Sequence, residues 1–152
     1  MFELMQSLTV EATEGTGRGR ASISAGHPFL ADHFPGAPVL PGSLQLELCA
    51  QVAGPLAEEV TVLRHGLERW SFLGLVRNAA FLEPVFLPAV LVITARVQRA
   101  EPSSVAVSVQ LEREGRLACR AELVMALREA EPGWAEALWG YRERLARWKA
   151  AP

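Results

Sequence analysis

Val105, Val107, Val109 and Leu111 occupy every second position, with Ala106, Ser108, Gln110 and Glu112 between them. Successive side chains of a strand leave opposite faces, so this period of two predicts a half-buried strand over 104–112. β-rich runs predict three more strands, at about 72–82, 88–100 and 116–128. Glu114-Gly115 predicts a hairpin turn between the last two, and Glu101-Pro102-Ser103-Ser104 another turn before them. Towards the N-terminus, Leu4–Ala12 and Arg20–Ser24 read as short strands. Gly15, Gly17 and Gly19 read as the flexible turn between them, and Gly26-His27-Pro28 breaks the second.

From Ser43 to about Ala57 the period changes. Leu44, Leu46, Leu48, Cys49, Ala50, Val52 and Ala53 put apolar groups on every side, which is the pattern of a buried helix. Ser43 is the expected N-terminal cap. Only Gln45, Glu47 and Gln51 interrupt the apolar run before Glu58. Glu47 and Gln51, four apart, share one face. Residues 58–71 carry Glu58, Glu59, Arg64, Glu68 and Arg69 and read as an exposed connection. The expected fold class is α+β: a buried helix followed by an antiparallel meander, over residues 1–130, with no repeat and no internal boundary.

The tail has a different pattern. After Pro132-Gly133, apolar residues recur as Trp134, Leu138, Tyr141, Leu145 and Trp148, at spacings of four, three, four and three. Residues 131–152 are therefore read as an added amphipathic helix whose aromatic stripe docks on its own domain or on a twin subunit. Its other face carries Glu136, Arg142, Glu143, Arg144 and Arg147.

Composition adds limits. The 152 residues fit one core, and half are hydrophobic, which argues against disorder. A net charge of −2 argues against a general nucleic-acid binder. Cys49 and Cys119 are too few for a disulfide scaffold and have no zinc spacing, so a reducing cytoplasm is the expected setting. The apolar run near Val85–Ile93 is too short to span a bilayer. His27 and His65 read as surface or loop residues. Cys49 reads as packing, and Arg64, Arg69 and Arg77 as a solvated face.

The candidate chemistry lies between His33 and Gln51. Prolines at 35, 38 and 41 make residues 33–42 an ordered loop. His33 opens that loop, and imidazole titrates near neutrality. Glu47 follows early in an apolar helix, where a carboxyl group taken out of water holds its proton to higher pH. Gly42 at the helix entrance leaves room for a ligand against the backbone, and N–H groups at a helix start suit a developing oxyanion. The pair reads as a base and an acid held on two different elements.

The string His33-Phe34-Pro35-Gly36-Ala37-Pro38-Val39-Leu40-Pro41-Gly42-Ser43-Leu44-Gln45-Leu46-Glu47 closely resembles the signature of the 3-hydroxyacyl-[acyl-carrier-protein] dehydratases. Ala50-Gln51, Phe72-Leu73-Gly74 and the Phe81…Pro84-Val85 segment add to the likeness, which covers about residues 20–128. The resemblance implies a hotdog fold, an antiparallel sheet wrapped around a long central helix. It implies His33 and Glu47 as catalytic residues, and Gly42 and Gln51 as oxyanion- or substrate-binding residues. It also implies dehydration of a (3R)-3-hydroxyacyl thioester to a trans-2-enoyl thioester, with no metal or redox cofactor. The expected partners are an acyl carrier protein and further copies of the chain. A homodimer, or a hexamer as a trimer of dimers, would build each site from the His of one subunit and the acid of the other. Asp32, Ala80, Glu83, Pro88-Ala89-Val90 and the tail depart from the family pattern, which leaves chain length, carrier and pathway open. Two other readings stand beside this one: a hotdog thioesterase using Glu47, and a silent subunit that binds acyl chains or a partner.

Overall fold

The computed structural model describes residues 3–30 and 32–152. Two strands, β1 (Met5–Glu11) and β2 (Thr16–Ile23), precede a short 3-10 turn at Pro28–Leu30 and the helix α1 (Gly42–His65). Four strands follow: β3 (Trp70–Phe81), β4 (Ala89–Glu101), β5 (Ser104–Arg113) and β6 (Arg116–Arg128). A 3-10 turn at Pro132–Trp134 then leads into α2 (Ala135–Ala150). All six strands form one antiparallel sheet in the order β1-β2-β4-β5-β6-β3.

The sheet curls around α1, which touches all six strands. Alternation supplies the inner face: Ala21 and Ile23 of β2, Leu91 and Ile93 of β4, Val105 to Leu111 at every second position of β5, and Leu123, Met125 and Leu127 of β6 are buried. Leu48, Cys49, Val52, Leu56 and Val60 of α1 meet them and are also buried. Glu114 and Gly115 both take left-handed backbone angles, φ 52° and 74°, so the expected hairpin turn between β5 and β6 is present.

Four expectations need correction. The strands do not form a simple meander: β3 leaves α1 for the far edge beside β6, and the chain then crosses to place β4 beside β2. Gly17 and Gly19 belong to β2 and not to a turn. A Cβ on Gly19 would lie 2.6 Å from Val52 Cγ2 and 2.8 Å from Met5 Sδ, so these glycines let the helix approach the sheet. The helix does not stop near Ala57. It continues through Glu58 and Glu59 to His65 and ends at Gly66, whose left-handed backbone (φ 66°) lets its N–H donate to Val62 O at 2.9 Å. Residues 58–65 are thus helix, and His65 sits in its last turn with Nε2 buried. Finally, Pro41 and not Ser43 holds the cap position, and no side chain caps the helix.

The tail does form an amphipathic helix. Trp148 is buried, Leu138, Tyr141 and Leu145 are half-buried, and Trp139 on the opposite face is exposed. Tyr141 packs edge-on against Trp70 and Trp134 edge-on against Phe72. Arg142 lies over the Trp70 ring, 4.8 Å from its centroid. The stripe docks on the chain's own α1, β1 and β3. Among the described residues no helix is long and apolar enough to cross a membrane.

Candidate active site

The 33–42 loop is braced on two sides. Within it, the His33 ring Nδ1–H donates to Val39 O at 3.0 Å, and Val39 N–H donates to His33 O at 2.8 Å. A carbonyl oxygen only accepts, so this bond fixes the proton on Nδ1 and leaves the lone pair of the neutral ring on Nε2. The other brace is the connection between β3 and β4. Leu40 N–H donates to Val85 O and Leu87 N–H to Pro38 O, at 2.8 and 2.9 Å. The topology crossover therefore holds the loop in place.

The loop runs straight into α1. Pro41 O accepts from Leu44 N–H and Gln45 N–H, and the N–H groups of Gly42 and Ser43 precede any intrahelical acceptor. Gly42 leaves room for the Phe81 ring, whose carbons would stand 2.9 Å from a Cβ there. The buried Gln45 side chain donates to Leu40 O at 3.2 Å and ties the loop's end to the first helical turn.

Glu47 is not buried in the single chain, contrary to expectation. It is exposed, on the face of α1 turned away from the sheet, and accepts from Gln51 Nε2 at 2.9 Å. It stands at a cavity of about 490 Å³ bounded by Gln51, Ser71, Tyr141, Arg144 and Trp148. Neither His33 nor Gly42 lines that cavity. Among the described residues no hydrogen bond or ion pair joins His33 to Glu47. One chain thus does not join the two groups directly or in that cavity, and Gln51 stays with Glu47.

Glu58, read from the sequence as part of an exposed connection, is instead hydrogen-bonded within the chain. Its Oε1 accepts from Ser71 N–H and Oγ–H at 2.9 and 2.8 Å, and its Oε2 accepts from Tyr141 Oη–H at 3.2 Å. Desolvation pushes its carboxyl group above the usual glutamate range, against the opposing hydrogen bonds from Ser71 and Tyr141. Burial, then the facing Glu58, pushes the Tyr141 phenol well up. The signal was available: Glu47, Gln51 and Glu58 are spaced by four and seven, which puts all three on one stripe of a helix. Among the described residues no cluster of three or more His, Cys, Asp or Glu side chains is placed to hold a metal. Of the arginines read as a solvated face, Arg69 pairs with Glu129 and Arg77 with Glu122. Cys49 and Cys119 are free and buried.

The model of the FabA-like domain matches residues 1–122. The chain belongs to this family. It is also 35% identical, over 107 residues, to a 3-hydroxyacyl-[acyl-carrier-protein] dehydratase FabZ from Haemophilus influenzae, covering 70% of this chain and 71% of that protein. These matches place it among the 3-hydroxyacyl-[acyl-carrier-protein] dehydratases, as the 33–47 string implied. Solved structures show the hotdog fold. A thioesterase, HI1161 from H. influenzae, aligns with TM-score 0.57 and 16% identity, covering 79% of this chain and 77% of that one. A dehydratase heterocomplex, ApeI:P from Xenorhabdus doucetiae, aligns with TM-score 0.59 and 11% identity, covering 83% and 99%. The family match stops at residue 122, before α2.

Proposed function

We propose that this hotdog protein dehydrates a (3R)-3-hydroxyacyl thioester carried by an acyl carrier protein, in the cytoplasm, and that each active site is shared by two copies of the chain. His33 Nε2 takes the proton from C2 of the thioester. The N–H of Gly42 stabilises the enolate-like thioester oxygen, an interaction of about 3–4 kcal/mol in a preorganised site. Glu47 gives a proton to the C3 hydroxyl, the C3–O bond breaks, and water leaves with a trans-2-enoyl thioester behind it. The proton gained by His33 and the one lost by Glu47 balance, and no redox cofactor is consumed.

The observation that carries this reading is the His33–Val39 hydrogen bond, which sets the ring tautomer a base needs. The shared site follows from two further facts. His33 and Glu47 do not meet within one chain, and β3 is an open edge of the sheet. Phe72, Leu73, Leu75 and Phe81 of that strand, with Leu82 beside it, are 41–50% exposed. An open apolar edge pairs readily with another strand. A twin β3 laid along it would bring a second α1 and a second His33 loop close to Glu47.

The experiment incubates the protein with short trans-2-enoyl and 3-hydroxyacyl thioesters and follows double-bond absorbance and free thiol together. Interconversion without thiol release is expected. His33→Ala and Glu47→Gln should each lose about 10²–10⁴-fold in rate while the protein stays folded. Thiol release would make the protein a thioesterase, and full hydration activity in either variant would overturn the assigned roles.

A further inference from the structure

We infer that α2, which lies outside the family-matched segment, is the distal wall of the acyl-binding chamber and limits the length of chain the site accepts. This rests on the dehydratase reading only in taking Glu47 as the reacting end.

The cavity that begins at Glu47 runs along the outer face of α1 past Gln51 and Gly54. Gly54 lets α1 approach β3 closely beside this groove: a Cβ there would stand 2.8 Å from Ser71 Oγ. Beyond α1, its walls are β3, Met125 of β6, and Tyr141, Arg144 and Trp148 of α2. An alkyl chain extended from a thioester at Glu47 along α1 therefore meets α2.

The wall is anchored at both ends. Tyr141 donates to Glu58, which also accepts from Ser71, so one carboxyl group links α1, β3 and α2. At the other end, Trp148 Nε1–H and Arg147 donate to Glu3 at 3.0–3.2 Å, and Lys149 pairs with Glu59. A helix held at two points is a fixed stop for an apolar chain, whose binding gains about 0.8 kcal/mol per buried methylene only while it still enters protein.

Arg144 is the residue to change, because it lines the chamber and is only half-buried, whereas Trp148 is packed into the core. Saturated acyl-pantetheine thioesters of increasing length lack the 3-hydroxyl group and cannot be dehydrated, so their affinities report the chamber alone. For the full-length protein, affinity should rise with length and then break. Arg144→Ala should move the break to longer chains and Arg144→Trp to shorter ones. Each should change the affinity of the chain at the break by about tenfold, as expected for one to two methylenes. A break that stays in place in both folded variants, or no binding of any member, overturns the wall. The two readings separate cleanly. A movable break without enoyl hydration would sink the dehydratase and keep the wall, and hydration with a fixed break would do the reverse.

Discussion

The two faces of α1 differ in kind. The face towards the sheet carries Leu48, Cys49, Val52, Leu56 and Val60, all buried among apolar strand residues. The opposite face carries Glu47, Gln51, Gly54 and Glu58, and is bordered by β3, α2 and Met125 of β6. Every polar side chain on this second face either makes a hydrogen bond to a neighbour or opens on the cavity. One helix thus separates two tasks by angle alone: cohesion on one side, chemistry on the other. The difference predicts that substitutions on the first face act on stability and those that line the cavity on the second act on substrate.

The largest effect expected on the inner face is that of Leu56→Ala. The side chain is fully buried, and its truncation should cost about 2–5 kcal/mol in urea denaturation. The protein that remains folded should keep its kcat. A loss below about 1 kcal/mol would mean that the curled sheet collapses onto the vacancy, and that cohesion is spread more widely than this face.

Glycines sharpen the contrast. Gly19→Ala pushes a methyl group to within 2.6 Å of Val52, a branched and fully buried side chain, and should cost about 1–3 kcal/mol. Gly54→Ala displaces the Ser71 hydroxyl group from Glu58, a loss of about 1 kcal/mol, and alanine gains about 1 kcal/mol of helix propensity over glycine. Its stability should change little, while its KM for an acyl thioester should rise because the groove narrows. Equal stability losses in the two variants would break the distinction between the faces.

Much of this frame was legible in the residues. Period-two alternation located β5, and the Glu114-Gly115 turn set its partner β6, because strand alternation and left-handed turns leave local signatures. The all-round apolar pattern of α1 marked it as central, and the aromatic spacing of the tail gave α2. What escaped depends on partners distant in sequence. Gly17 and Gly19 looked like a turn because only the approach of Val52 explains glycine within a strand. Glu58 and Glu59 looked like solvent-exposed charges because their partners, Tyr141 and Lys149, lie in another helix. His33 and Gly42 sit on the loop and helix start that the proline pattern marked out. The burial expected of Glu47 is not met within one chain, since among the described residues it stays exposed.

The smallest effect concerns Glu58, which joins the chemical face to α2. Desolvation raises its pKa on folding above the ordinary value of 4.5, and neighbouring Glu59 raises it further. Below the unfolded value both states are protonated and the group carries no penalty. As pH rises from there, the unfolded chain releases its proton first while the native chain retains it, so stability falls. The fall ends once pH passes the raised native value. Glu3 shifts the other way, lowered mainly by its hydrogen bond from Arg147, so its stabilisation is lost only as pH falls below the ordinary range. The two windows do not overlap. Glu58→Gln should therefore lack the decline just above pH 4.5 that the parent shows in urea midpoints, while both keep the same decline at more acidic pH. Identical profiles above pH 4.5 would mean that Glu58 is as well solvated as any surface carboxylate, and that α2 does not seal the outer face of α1.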